Sequence, residues 1–269
     1  MRSENLPMLS QVAIDKQHIQ HSFDRASTSY QRYNQLQQQV ASSMLTMLGA
    51  TKYPSLLDAG CGPGINYPAL ADYCNDYIGL DLSRAMVSKA VAVLSAAEAK
   101  TNSTLIQGDL EAIGLATNSV DAVFSSLAIQ WAHQPADALA ELVRVSKPGS
   151  PILISTVLAD SLQPLSQLRT AIDGQPGANL QLSLSDWRYL LTQQQGLASW
   201  RCVEEQLTVY SPDLKTLLLG IKGVGATARN GGALSPGTWR QLAADYEAHR
   251  SVAGLPLTYQ IGFIEAYKE

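Results

Sequence analysis

The chain has 269 residues, of which 46% are hydrophobic and 16% are charged, and its formal net charge is −4. This composition excludes a disordered chain, and the net negative charge disfavours nucleic acid as a partner. The three cysteines lie far apart without CxxC spacing, so we predict no disulfide framework and no metal site. We find no basic and apolar leader and no apolar run of the roughly 20 residues that a membrane helix needs. We therefore expect a cytoplasmic protein that is not attached to a membrane.

Residues 1–50 predict an N-terminal helical cap, because residues 36–48 repeat apolar positions at helical spacing. From residue 51 to residue 157, short apolar runs alternate with helical segments, which predicts a doubly wound, Rossmann-like α/β sheet. The predicted strands cover residues 55–60, 77–81, 104–107, 119–125 and 151–157. The predicted helices cover residues 67–74 and 136–145 and a segment that begins after the N-cap Ser83.

Residues 158–182 are rich in Gln, Ser, Pro and Gly and predict an insertion or lid after the fifth strand. Residues 183–269 then complete the sheet. Two further strands there bring the predicted total to seven, and we expect them to pair at the edge of the sheet. The predicted helices of this part cover residues 185–195, 212–222 and 236–248, and the strands cover residues 200–210 and 257–267.

The segment Asp58–Gly64 reads Asp-Ala-Gly-Cys-Gly-Pro-Gly and joins a strand to a helix. Glycines let the backbone approach a ligand, and the helix N-terminus offers unpaired amides to an anionic group. That group is the pyrophosphate of a dinucleotide or the methionyl carboxylate of S-adenosylmethionine. Asp81 ends the next strand about twenty residues later, where a carboxylate can accept hydrogen bonds from both ribose hydroxyls. The two features together predict a site for an adenosine-containing cofactor.

Two details favour S-adenosylmethionine over NAD. The turn has the spacing Gly-x-Gly-x-Gly with Pro63, whereas dinucleotide-binding proteins have Gly-x-Gly-x-x-Gly. Asp109 follows the third strand, where its carboxylate can accept the adenine amino group, and Leu110 can pack against the adenine ring. An NAD-dependent oxidoreductase is therefore the disfavoured alternative.

Asp58–Gly64, Gly79–Ser83 and Gly108–Leu110 resemble the successive motifs of class I S-adenosylmethionine-dependent methyltransferases. The segment Ser22–Tyr30 resembles the Phe-Asp-Arg-x-Ala-x-x-Tyr lid of small-molecule methyltransferases. Three more segments, Ser125–Trp131, Gly223–Asn230 and Leu255–Tyr259, extend the likeness to the malonyl-[acyl-carrier-protein] O-methyltransferase family of biotin synthesis. Residues 175–181 match little of that pattern.

The resemblance implies methyl transfer from S-adenosylmethionine to the free carboxylate of malonyl-acyl carrier protein or malonyl-CoA. Such a carboxylate has a reference pKa of about 4 and is already ionised, so catalysis needs positioning and no general base. A general-base role for His133 is accordingly disfavoured. The predicted catalytic residues are Tyr30, Gln130, Trp131 and Tyr259. The residues predicted to bind the cofactor are Arg25, Asp58, Gly60, Cys61, Gly62, Gly64, Asp81, Leu82, Met86, Asp109, Leu110 and Leu127.

An acidic carrier protein predicts a basic docking patch, for which Lys147, Arg201, Lys222 and Arg229 are the candidates. Two other functions share the same cofactor. One is a methyltransferase that acts on carbon or oxygen of a quinone-like or polyketide-like metabolite, and the other is a subunit that binds S-adenosylmethionine without turnover.

Overall fold

The computed structural model describes residues 16–97, 101–174, 181–225 and 234–269. The strands are β1 (Tyr53–Ala59), β2 (Cys74–Asp81), β3 (Asn102–Gln107), β4 (Ala122–Ser126), β5 (Pro151–Val157), β6 (Leu197–Ser211) and β7 (Leu255–Lys268). The helices are α1 (Lys16–Ala26), α2 (Tyr30–Tyr33), α3 (Gln35–Met47), α4 (Tyr67–Leu70), α5 (Arg84–Ala96), α6 (Pro135–Val145), α7 (Leu165–Asp173), α8 (Leu184–Gln193), α9 (Leu214–Gly223) and α10 (Pro236–Glu247). Within these ranges, no helix has the length and apolar character that crossing a membrane requires.

The strands form one sheet in the order β3-β2-β1-β4-β5-β7-β6. Strands β1 to β5 pair in parallel, and β7 runs antiparallel to both β5 and β6. The direction in which the chain adds strands reverses between β1 and β4. In a doubly wound sheet a ligand binds at the carboxyl ends of the strands at this switch point. The predicted seven-stranded α/β fold is confirmed, and it places the candidate site beside the turn that follows β1.

The sheet is covered on both faces, and adjacent residues of its central strands supply the two cores. Leu57 is fully buried in the core under α6 and α8, whereas Leu56 is fully buried in the core under α3. The neighbouring strands repeat this alternation with Val123 and Phe124 in β4 and with Ile152 and Leu153 in β5. Burial on both faces holds the carboxyl ends of β1 and β4 in fixed positions.

The predicted helix over residues 67–74 is wrong at its end, because α4 ends at Leu70 and β2 begins at Cys74. Cys74 is fully buried and pairs with Tyr53 in the register of β1 and β2. Pairing with β1 therefore starts β2 three residues before Tyr77, where the sequence pattern places the strand. That pairing joins residues about twenty positions apart, so it leaves no local signal.

Residues 158–182, predicted as an insertion or lid, contain helix α7. Leu165 and Ile172 place its apolar side in a third core, which α9, α10 and one end of β7 complete. The helix ends at Gly174, whose φ of 68° is the left-handed conformation that favours glycine at a C-terminus. Residues 175–180 lie outside the described residues.

Helix α1 crosses the carboxyl edge of the sheet and is attached at both of its ends. Near its C-terminus, Asp24 Oδ1 accepts hydrogen bonds from Ser83 Oγ at 2.5 Å and from the Ala85 amide at 3.2 Å. Ser83 is the N-cap of α5, so Asp24 adds negative charge where a helix N-terminus favours it. At the other end, Lys16 forms ion pairs with carboxylates that follow β3. These contacts make α1 one wall of the candidate site.

We predict that Asp24→Ala loosens α1 without unfolding the sheet, because the substitution removes both acceptor contacts at the start of α5. Hydrogen exchange measured by mass spectrometry should be faster in peptides of α1, while peptides of β1 and β4 keep the protection of the parent protein. Glu247→Ala serves as the control, because it removes an exposed ion pair between the last residue of α10 and Arg250. Unchanged exchange in α1 after Asp24→Ala would contradict the attachment.

Candidate active site

A cleft lies at the carboxyl ends of β1, β2 and β4, beneath α1. It contains about 680 Å³ of empty space, part of which is open to solvent. The turn after β1, the segments after β2, β3 and β4, and one side of α1 form its walls. The predicted residues that line it are Tyr30, Gly60, Gly62, Asp81, Leu82, Met86, Asp109, Leu110, Leu127 and Trp131.

The turn after β1 depends on glycine for two different reasons. Gly60 has a φ of +84°, and a Cβ there would lie 2.2 Å from Ala128 Cβ, so any side chain would push the ends of β1 and β4 apart. Gly62 has a φ of +54°, and nothing lies within 4 Å of where its Cβ would be. Gly60 therefore allows the ends of β1 and β4 to pack closely, and Gly62 leaves its backbone accessible from the cleft.

Asp81 ends β2 and lines the cleft. Its Oδ2 accepts the Gly62 amide at 2.8 Å, and its Oδ1 accepts the Ser83 amide at 2.8 Å. Burial raises the pKa of Asp81 to about 6, although these two hydrogen bonds lower it. The carboxylate is thus held rigidly at the position from which the sequence predicts contact with a ribose.

Asp58 lies beneath the turn and is fully buried. Its Oδ2 accepts a hydrogen bond from the Tyr77 hydroxyl at 2.8 Å, while its Oδ1 is buried and has no hydrogen-bond partner. Burial raises the pKa of Asp58 to about 7, and the charge of Asp81 raises it further. Burial also raises the pKa of the Tyr30 phenol, and the charges of Asp81 and Asp58 act in the same direction. Tyr30 therefore stays protonated and can donate a hydrogen bond.

These groups fit S-adenosylmethionine, which carries a positive sulfonium and a positive ammonium group. Among the described residues, neither Asp58 nor Asp81 forms an ion pair, and one oxygen of Asp58 has no partner. Buried carboxylates without a cation favour a cationic ligand. The Tyr30 phenol supplies a donor beside them for an anionic group. The charge of this end of the cleft thus matches the methionyl end of the cofactor.

Asp109 and Leu110 line the other end of the cleft. Asp109 Oδ1 accepts the Glu111 amide at 3.0 Å, and the side chain of Lys16 contacts Asp109 Oδ2. Lys16 Nζ also lies 2.6 Å from Glu111 Oε2, and Glu111 accepts the backbone amide of His133 at 2.9 Å. The end predicted to hold adenine is therefore joined to α1 through Lys16.

The part of the cleft between these ends is apolar. The rings of Trp131 and Phe23 meet edge to face, with centroids 5.4 Å apart. Leu127 has a φ of +50°, and its amide donates to Ser155 Oγ at 3.0 Å and to the Ser155 carbonyl at 3.1 Å. This fixed segment after β4 holds Leu127 and Trp131 opposite α1, where they can exclude water.

Six predicted site residues are not among the described residues that line the cleft. Asp58, Cys61 and Gly64 are buried in or beneath the glycine turn. Gln130 Nε2 donates to the Leu127 carbonyl at 2.9 Å, so the Gln130 side chain stabilises the segment after β4. The remaining two, Tyr259 and Arg25, lie farther away.

Tyr259 lies in β7 and contacts the cores under α3 and between α7, α9 and α10, because the long strand β7 turns its side chain away from the switch point. Arg25 lines a second cavity on another side of α1, since it follows the cleft-lining Phe23 by two residues and helical periodicity rotates it away. The structure therefore corrects the sequence-based placement of Tyr259 and Arg25 in the cleft.

The cleft also contains residues that the sequence-based set omits, notably Lys16, Phe23, Glu111 and Ser126. Phe23 is part of the lid-like segment that the resemblance identified, and Glu111 follows Asp109 by two positions, so both had a sequence signal. Lys16 had none, because its partner Asp109 is 93 residues away.

The chain is similar to known methyltransferases in sequence. A family described as a methyltransferase domain matches residues 57–154. The malonyl-[acyl-carrier protein] O-methyltransferase of Enterobacter lignolyticus is 34% identical over 250 residues, which cover 92% of this chain and 96% of that protein. The protein with the same description from Serratia marcescens is 33% identical over 262 residues, which cover 95% and 97% of the two chains.

Solved structures share the fold at lower sequence identity. The YcgJ protein of Bacillus subtilis matches with a TM-score of 0.62 and 18% identity, over 86% of this chain and 99% of that one. The phosphoethanolamine N-methyltransferase 2 of Haemonchus contortus, solved with S-adenosyl-L-methionine, matches with a TM-score of 0.58 and 18% identity, over 91% of this chain and 57% of that one.

The fold and the charge of the cleft define a class I methyltransferase whose cofactor is S-adenosylmethionine. This result confirms the predicted class and its cofactor and excludes the NAD-dependent alternative. The chain belongs to the malonyl-[acyl-carrier protein] O-methyltransferase family, because it matches members of that family at more than 30% identity along nearly their whole length.

We predict that Asp58→Asn stabilises the cofactor-free protein, and that it does so more at pH 8 than at pH 5. The folded protein raises the pKa of Asp58 from 3.8 to about 7, so the folded state binds the proton more tightly than the unfolded state. The stability that this proton contributes is present below pH 3.8 and is lost as the pH rises through 7. Asparagine keeps an acceptor for Tyr77 and carries no charge. The gain at pH 8 should exceed the gain at pH 5 by on the order of 2 kcal/mol.

Urea unfolding at both pH values measures this difference. Asp137→Asn, which removes an exposed carboxylate from the first turn of α6, is the matched control. A gain from Asp58→Asn that is the same at pH 5 and pH 8 would rule out the ionisation of Asp58 as its cause.

Proposed function

We propose that this chain transfers the methyl group of S-adenosylmethionine to the free carboxylate of malonyl-acyl carrier protein, in the cytoplasm, as a step of biotin synthesis. The observation that carries this proposal is the extent of the family match. The general methyltransferase domain accounts for residues 57–154, whereas the malonyl-[acyl-carrier protein] O-methyltransferases match 92% or more of the chain. The likeness therefore includes the N-terminal helices and the C-terminal region, which lie outside the general methyltransferase domain.

In this proposal different residues of the cleft bind different parts of the cofactor. Asp81 accepts hydrogen bonds from the ribose hydroxyls, and the open backbone at Gly62 accommodates the methionyl end. Asp109 accepts the adenine amino group, with Leu110 against the ring. Tyr30 donates to a carboxylate. When bound, the cofactor supplies an electrophilic methyl group on a positively charged sulfur.

A malonyl carboxylate suits the residues of this site, because it is ionised at neutral pH and needs no base. Among the described residues that line the cleft there is no histidine, and His133 contributes a backbone amide to Glu111 instead. Tyr30 is protonated because burial and the neighbouring carboxylates raise its pKa, so it serves as a donor that orients an oxygen. The work of the chain is thus to position the acceptor and to exclude water.

The product of this reaction has a different charge from the substrate. Methylation converts the carboxylate of the malonyl thioester into a neutral ester, so the modified chain resembles an ordinary fatty-acyl primer. The apolar wall that Phe23, Leu127 and Trp131 form is compatible with such a neutral product. We therefore propose that the enzyme removes the negative charge of the malonyl group before the acyl chain is extended.

The direct test incubates the protein with radiolabelled S-adenosylmethionine and malonyl-acyl carrier protein, with acetyl-acyl carrier protein as the control that lacks a free carboxylate. We expect label in the malonyl sample alone, released by base as methanol. Measurable cofactor binding without label in that sample would overturn the malonyl acceptor. A small-metabolite methyltransferase or a subunit that only binds the cofactor would then be the function to test.

We predict that Tyr30→Phe lowers kcat by about tenfold to a hundredfold, because it removes one hydrogen bond to a charged group in a buried site. Since the phenol acts as a donor and not as a base, the slope of the pH profile of kcat between pH 6 and pH 8 should not change. Tyr210→Phe, at an exposed position of β6, is the matched control. An activity of Tyr30→Phe equal to that of the control would exclude this role.

A further inference from the structure

A second cavity lies next to the cleft, between the C-terminal ends of α1 and α9 and the short helix α2. It contains about 710 Å³ of empty space, part of which is open to solvent, and its polar lining includes Ser22, Arg25, Ser29 and Lys222. We propose that this cavity binds the phosphodiester of the phosphopantetheine arm that carries the malonyl group. This inference rests on the proposed function, and it identifies how the chain recognises the carrier of its acceptor.

The charge of this second cavity is positive. Arg25 and Lys222 both line it, and its described lining contains no acidic residue. Among the ion pairs between described residues, neither of these two cations takes part. Arg25 Nη2 lies 3.5 Å from the hydroxyl of Ser22, which is nearly buried. The two cations and the adjacent Ser22 hydroxyl are groups that bind a phosphate oxygen, whereas the Ser29 hydroxyl donates to the Gly223 carbonyl at 3.0 Å.

The helix ends that meet here restrict the charge of the ligand. Arg25 lies in the last turn of α1, and Lys222 lies in the last turn of α9. A helix C-terminus carries a partial negative charge, so the two ends offset part of the charge of the two cations. The remaining positive charge suits a monoanion. A phosphodiester carries one negative charge, whereas the phosphates of a nucleotide carry several.

The cavity is separated from the cleft by the ring of Phe23. One side of this ring lines the cleft and meets Trp131. The other side packs against Gly225, where a Cβ would lie 2.7 Å from the ring. In this proposal the arm passes Phe23 on its way from the apolar wall beside Trp131 to Arg25. The cavity would then lie between the reacting carboxylate and the carrier.

The other basic residues predicted for docking do not provide an equivalent site. Lys147 Nζ is paired with Asp121 at 2.8 Å. Arg201 lines a groove between α3 and β6 together with Glu205 and Glu265, whose carboxylates disfavour an anion. Arg229 lies outside the described residues. Lys222 is thus the predicted docking residue, within the described part of the chain, that lines a cavity without acidic residues.

The experiment compares two acceptors for the parent protein, Lys222→Gln and Arg25→Gln. One is the methyl phosphodiester of malonyl-4′-phosphopantetheine, whose phosphate carries one negative charge as in the carrier-bound arm. The other is malonyl-pantetheine, which lacks the phosphate. We expect each substitution to raise KM for the phosphorylated thioester about tenfold, the effect of one lost charge-assisted hydrogen bond, and to leave kcat unchanged. KM for malonyl-pantetheine should not change. Lys52→Gln, an exposed position just before β1, is the matched control.

Two results would overturn the proposal. One is an equal rise of KM for both thioesters, which would mean that the substitutions disturb the closure of the cleft. The other is a KM for the phosphorylated thioester that neither substitution changes. The Kd for S-adenosylmethionine gives a further check, since a rise with Arg25→Gln would place this side chain on the cofactor.

A binding measurement separates this inference from the proposed function. Calorimetry with the methyl phosphodiester of 4′-phosphopantetheine and with pantetheine needs no turnover. The parent protein should bind the phosphorylated compound more tightly, and Lys222→Gln should remove that difference. If neither malonyl compound is methylated but this difference is found, the acceptor is wrong and the phosphate site stands. If the parent protein binds both compounds equally, the phosphate site is wrong whatever the acceptor.

Discussion

The close approach of the turn after β1 to the segment after β4 is the constraint on which the site depends. Gly60 leaves no room for a side chain against Ala128, and its amide donates to the Leu80 carbonyl at 2.7 Å. Two residues later, the Gly62 amide donates to Asp81. The turn is therefore fixed to both neighbours of β1 at once. Because the cores on both faces of the sheet bury these strands, the turn cannot relax without disturbing the packing of the whole domain.

The electrostatics of the cleft follow from this constraint. The turn covers Asp58 and orients Asp81, so two carboxylates are buried near each other without a cation from the described residues. In the free protein this arrangement costs stability, because burial disfavours the charged forms. A cofactor with a positive sulfur and a positive ammonium group offsets the cost. The same charges keep Tyr30 protonated, which makes positioning rather than proton transfer the chemistry that this site supports.

Helix α1 contributes to both the cleft and the second cavity. Lys16 connects its first turn to the carboxylates after β3, Asp24 attaches it to α5, and Phe23 meets Trp131. A side chain on another face, Arg25, reaches the second cavity. One short helix thus contributes to the end of the cleft at Asp109, to the apolar wall and to the second cavity, so a shift of this helix would change both cavities.

The sequence by itself determined the fold class, the bounds of β5, the glycine turn and the acidic residue that ends β2, because each of these is a local pattern of glycine, buried apolar residues or capping groups. Only the tertiary structure decided which side chains share a cavity. It joined Lys16 to Asp109 across 93 residues, turned Arg25 away from the cleft, and placed Tyr259 in the packing of β7. These outcomes depend on how helices dock on the sheet and on which face of an element a residue occupies, and docking is a contact between distant segments that no local pattern records.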